Sequence, residues 1–203
     1  QYARYKTFFD GKSENHAELG VRVLKENKVL NRFDESMQSL ILRTISYHSR
    51  AALPEDETDT CLFFSRLLRD ADKLDIWRVV TDYYNRHNGK RNGTIELVLP
   101  GTAGFSDEVY QDLINKRIVD IKHLQNLNDF KLLQIGWIFD INFTPTFKSI
   151  KKRHYLEMIH HVLPELKKFS ILYKSIFTKR LLPLTKLSSL QLFPRNRDGY
   201  LSF

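Results

Sequence analysis

The sequence predicts an all-α fold, a helical bundle with at most a minor strand or hairpin. Three observations carry this prediction. Capping residues stand ahead of apolar stripes at three- and four-residue spacing, beginning at Asn15, Asp34 and Ser106. Connections between the stripes are short, and no internal repeat or low-complexity segment interrupts them. Only Ile95 to Leu99, closed by Pro100-Gly101, reads as a possible strand.

Taken in order, Gln1 to Lys12 has no clean period and reads as a loop packed over something. Asn15 is an N-cap with Glu18 three residues on, the spacing of a capping box, and the helix it opens ends near Asn27. His16 falls in its first turn. Asp34 caps the next helix, whose stripe runs Met37, Leu40, Ile41, Thr44, Ile45 and on to His48. His48 therefore ends an inward face, where a core histidine bonded to a backbone carbonyl competes with a metal or phosphate role. A long helix follows from about Asp59 to Tyr84, with Leu68, Ala71, Asp75, Ile76 and Val79 as its inward face.

That long helix carries the most informative stretch, Leu67 to Trp77. Asp70, Asp72 and Asp75 sit between Leu67-Leu68 and Ile76-Trp77, and Asp72 borders the apolar face. An ionised carboxylate facing an apolar interior costs several kcal/mol unless a cation or dense hydrogen bonding compensates it. Arg69 and Lys73 lie alongside, turned mostly toward other sides of the helix, and a salt bridge is the simpler answer; a divalent metal is the sharper one.

Beyond it, Asn85 to Thr94 is a glycine-containing loop without phosphate-loop spacing, and Ser106 starts a helix through Ile114. Asp129 to Asn142, capped by Asn128 or Asp129, is the most apolar helix. Thr144-Pro145 opens a helix through Val162, and Pro164 another through Phe177. From Leu181 the pattern dissolves into a poorly ordered tail.

Composition limits the function classes. A chain of 203 residues buries a full core as one large domain. A single cysteine, Cys61, excludes an internal disulfide and fits an intracellular, cytoplasmic setting. No run of eighteen or more uncharged apolar residues exists, so no membrane span is expected. The start shows no signal-peptide pattern, and Gln1 in place of a methionine is consistent with a fragment. The net charge of +8 is uneven: from Lys148 onward twelve Lys and Arg stand against three Asp and Glu, leaving 20 basic and 21 acidic residues before it. Interleaved Leu, Ile and Phe make solvated faces of amphipathic helices a better reading of that quarter than a nucleic-acid surface.

Three motifs in order, Asn15-His16-Ala17-Glu18-Leu19-Gly20, Ile45-Ser46-Tyr47-His48 and Arg69-Asp70-Ala71-Asp72-Lys73-Leu74-Asp75, resemble the HD-domain superfamily of metal-dependent phosphohydrolases. Gln1 to Asp10 resembles the segment that follows the family's His-Asp doublet, and Trp137-Ile138-Phe139-Asp140-Ile141-Asn142-Phe143 a later helix of one bacterial subgroup. The resemblance spans about residues 1 to 165. It implies an HD-like domain over residues 1–180, with 181–203 as the tail. It also implies a divalent metal cofactor (Mn, Mg, Fe, Co or Ni) and hydrolysis of a nucleotide or other phosphoester. On that resemblance Asp72 is the family's downstream metal ligand. His16 and His48 take a metal or phosphate role, and Arg4, Arg50 and Lys73 are phosphate contacts. No His-Asp dipeptide occurs in the sequence, and the family's early histidine would precede Gln1, which points to a missing N-terminal piece. A degenerate, nucleotide-sensing HD-like module is the first alternative and a nucleic-acid-binding helical protein the second. An oligomer is compatible with all three.

Overall fold

Asn15 and Asp34 cap helices as the sequence predicts, though the return bond from Glu18 that would complete a capping box at Asn15 does not form. Asn15 accepts hydrogen bonds from the Ala17 and Glu18 backbone N–H groups, and Asp34 from that of Met37, so two helix starts are satisfied locally. The computed structural model describes residues 2–6, 10, 13–86, 91–93 and 95–164. Within them the helices are α1 (Tyr2–Tyr5), α2 (His16–Glu26), α3 (Glu35–Tyr47), α4 (Asp59–Arg86), α5 (Asp107–Ile114), α6 (Leu127–Gly136), α7 (Thr144–Lys152) and α8 (Tyr155–His161). The fold is all-α, with no strand among the described residues. No helix among them is long and apolar enough to cross a membrane. The expected helix from Pro164 and the tail from Leu181 lie outside the described residues.

The 28-residue α4 is the axis of the bundle. α3, α7 and α8 all pack against it; α2 packs on α3, and α6 joins α5 to α8. The core is fullest around Trp77, which is fully buried. Its ring stacks on Tyr155 (6.4 Å between centroids) and leans on Trp137, while its indole N–H donates to the Gln134 carbonyl at 3.0 Å.

α4 turns a different face inward from the one its apolar spacing predicts. The buried residues are Cys61, Ser65, Arg69, Asp70, Lys73, Trp77, Val80 and Thr81, mostly a four-residue repeat that includes three charged side chains. Ala71 and Asp75 are exposed, as are Leu67 and Val79 at 45% and 40%. The reason is pairing. Asp70, only 1% exposed, accepts from the Asn142 N–H, the Asn142 side-chain amide and the Phe143 N–H, all just ahead of α7. Phe143 at the α7 N-cap has no capping side chain of its own, and a carboxylate from α4 stands there against the positive end of the helix. A charge can be buried where partners across the core satisfy it.

Other departures follow the same logic. Ile95 to Leu99 forms turns, not a strand, with Leu97 and Val98 at φ of 53° and 58°. Buried Glu96 holds this segment down by accepting from the Tyr83 hydroxyl at 2.8 Å and pairing with Arg91. The predicted Asp129–Asn142 helix starts earlier, at an Asn126 cap with Asp129 completing the capping box, and stops at Gly136. A 3-10 turn over Trp137–Asp140 follows, which frees Asp140 and Asn142 to reach α4. Gly136 is required there, because a Cβ would meet the Leu113 side chain at 2.8 Å. The helix from Thr144 breaks at His154, which is left-handed (φ 55°), and Tyr155 then turns inward as the first residue of α8. At the N-terminus, Tyr2–Tyr5 is a short helix within the segment read as loop.

Replacing Asp70 by Ala strips three donors of a buried acceptor, and about 3 kcal/mol of stability is expected to go, measured by urea denaturation. Asp75→Ala, on the exposed side and bonded only to neighbouring Arg78, is expected to leave the midpoint where it was.

Candidate metal and phosphate site

His16 and His48 are brought together by helix ends. His16 is the first residue of α2 and His48 the C-cap of α3, and these helices pack side by side. Their Nε2 atoms are 3.0 Å apart, with the rings edge to face (74° between planes). The remaining nitrogens are already engaged. His48 Nδ1 lies 2.6 Å from the Ile45 carbonyl, an obligate acceptor, and His16 Nδ1 lies 2.8 Å from an Asp10 carboxylate oxygen. Those partners assign the proton of each neutral ring to Nδ1, leaving both Nε2 atoms as bare acceptors pointed at each other. Two lone pairs at that distance repel, and the contact needs a proton or a cation between them.

The histidines open onto a cleft of about 350 Å³ between the α3–α4 connection, α4 and α6. Asp72 lines it, half-buried. The salt bridge that the sequence offered as the simpler partner for Asp72 is absent among the described residues, where its carboxylate has no hydrogen bond or ion pair. Arg69 and Lys73 are committed elsewhere, both inward to Asp140. Arg69 donates from Nε and Nη2 at 3.1 and 2.6 Å, and Lys73 Nζ approaches the same oxygen at 2.6 Å. Arg69 Nη1 also donates to the His48 and Arg50 carbonyls. One guanidinium thereby ties the end of α3 and the loop after it to the 3-10 turn.

The remaining candidates are spread more widely. Lys73 lines the cleft, with its ammonium paired to Asp140. Arg50 also lines it, its guanidinium 4.6 Å above the Tyr47 ring. Burial first, and then the Glu57 carboxylate, push the Tyr47 phenol up. Arg4 lies over Tyr5 in α1 and is not among the described residues that line the cleft. Asp10, Arg69 and Asp140 are site residues that the motifs did not single out. Asp140 lay within the Trp137–Phe143 segment, but nothing in that segment shows what it faces. Among the described residues, no three His, Cys, Asp or Glu side chains form a group that could hold a metal ion.

In comparisons with protein-family models, curated proteins and solved structures, nothing matches the chain.

Asp72 and Asp140 are expected to behave oppositely when truncated. Asp140→Ala leaves Arg69 and Lys73 buried without their anion and is expected to cost about 3 kcal/mol. Asp72→Ala removes an unpaired carboxylate and is expected to stay within about 0.5 kcal/mol of wild type. Thermal and urea unfolding of the two variants side by side decides this.

Proposed function

We propose that this chain carries part of the active centre of a metal-dependent phosphohydrolase of the HD-domain type, acting on a nucleotide or other phosphoester. The observation that carries the reading is one juxtaposition. Two imidazole Nε2 atoms with their Nδ1 protons already assigned face each other, in a cleft that also holds a carboxylate with no partner among the described residues. Imidazole nitrogen and carboxylate oxygen are the donors that Mn, Fe, Co and Ni take readily, and Mg takes the carboxylate. On the family resemblance His16, His48 and Asp72 are the ligands this chain offers; as they stand they do not form a complete ligand group, and further donors would have to join them around an ion. Asp10 and the Ile45 carbonyl would orient the two rings from behind, as partners of ligating histidines do. When bound, such an ion polarises a phosphoryl oxygen and makes water nucleophilic at neutral pH.

The chain's own groups supply the rest. Lys73 and Arg50 are cations on the same cleft, placed to hold phosphate oxygens as negative charge develops. Arg69 reaches no substrate in this reading; it positions His48 by holding the His48 and Arg50 carbonyls. The His-Asp doublet of the resembled family has no counterpart in these 203 residues.

The test uses the full-length protein with a panel of nucleotides and phosphomonoesters, supplied in turn with Mn²⁺, Mg²⁺, Co²⁺ and Ni²⁺. Metal-dependent phosphate release is expected, and His16→Ala, His48→Ala and Asp72→Ala should each lower it about 10- to 100-fold while thermal midpoints move little. Wild-type turnover and metal content in Asp72→Ala would make that carboxylate a surface charge and overturn the assignment.

A further inference from the structure

The side chains lining the cleft are of two unlike kinds. His16, His48, Arg50, Asp72, Lys73 and Asp140 are polar or charged. Ile76 of α4, Ile118 and Ile121 around the connection after α5, Phe130 and Leu133 of α6, and Trp137 make up its apolar wall. None of these six side chains carries an acceptor, and only the Trp137 indole carries a donor. Two of them are exposed: Ile118 is 38% accessible and Ile121 56%. These two β-branched apolar side chains line a charged cleft while still exposed, and a ligand with apolar surface would cover them.

We infer that this cleft selects a phosphomonoester with an alkyl or aryl body, the phosphate held by the polar side chains and the body laid along the isoleucine, phenylalanine and tryptophan side chains. The inference rests on the phosphohydrolase reading above and specifies its substrate class. A nucleobase presents an edge of donors and acceptors, and a site selective for it answers with polar groups; this wall answers with area alone. In the reaction, water adds to phosphorus, the ester P–O bond breaks, and the alcohol leaves with a proton as inorganic phosphate is released. The alcohol formed is the apolar part, and the wall loses its hold on it once the phosphate anchor is cut.

The test is a chain-length series with the full-length protein and its activating metal: methyl, butyl and hexyl phosphate, beside nucleoside monophosphates. Burial of methylenes on a partly open wall should raise kcat/KM about 2.5-fold for each one, or about a hundredfold from methyl to hexyl. Hexyl phosphate should also exceed every nucleoside monophosphate. In Ile118→Ser/Ile121→Ser the hexyl-to-methyl ratio should fall to about tenfold or less, since each lost contact removes a few-fold gain. If that double variant fails to fold, Ile121→Ser alone, at the more exposed position, should still lower the ratio. A flat series, or a nucleoside monophosphate preferred to hexyl phosphate, would overturn the inference and leave the phosphohydrolase reading standing. Should no phosphoester be turned over, that reading fails, and binding judges the cleft instead. Hexyl phosphate binding more than tenfold tighter than inorganic phosphate, followed by tryptophan fluorescence, would support the site with two kinds of lining; equal binding would overturn it.

Discussion

Two cations on one carboxylate hold the centre of this protein together. Arg69 and Lys73, one helical turn apart on α4, both reach Asp140 in the 3-10 turn that follows α6. Burying such groups costs several kcal/mol per ion, and attraction compensates only where geometry and further hydrogen bonds are good. Here they are. Arg69 makes four donor contacts, two of them to backbone carbonyls of the α3–α4 connection. Its neighbour Asp70 takes three donors ahead of α7. Two consecutive residues of one helix thus fix the end of α3, the turn after α6 and the start of α7. Were the cluster apolar, these three segments would have no common reference.

The same cluster explains why the cleft has its shape. Because Arg69 and Lys73 are drawn toward Asp140, Asp72 is left facing the cleft without a counter-ion among the described residues. Because Arg69 grips the His48 carbonyl, His48 stays at the end of its helix with Nδ1 on Ile45 and Nε2 turned to His16. The charge that a ligand would meet is set by this division. Arg69 and Lys73 share the Asp140 carboxylate, while Arg50 and Asp72 line the same cleft. The isoleucines in the same lining give the cleft a second chemistry, unrelated to charge.

Local sequence rules determined a good deal. Asn15 and Asp34 mark helix starts because capping is a contact between a side chain and the backbone two or three residues on, whereas Ser106 stands at the start of α5 but gives its hydroxyl to Asp129. The all-α class, the extent of α2 to α5 and the burial of Cys61 follow from spacing and composition, and so does the place of His16 and His48 at helix ends. What only the tertiary structure decided lies at longer range. The inward face of α4 was not legible, since periodicity counts apolar residues and cannot see that Arg69, Asp70 and Lys73 meet partners about 70 positions away. For the same reason the helix from Asp129 could not be seen to stop at Gly136, nor Ile95–Leu99 to be held as turns by buried Glu96. The 3.0 Å approach of the two histidines depends on how α2 packs on α3, and the apolar wall on residues drawn from four separate segments. A sequence records which groups can pair, and the pairing itself is decided where the chain brings them within reach.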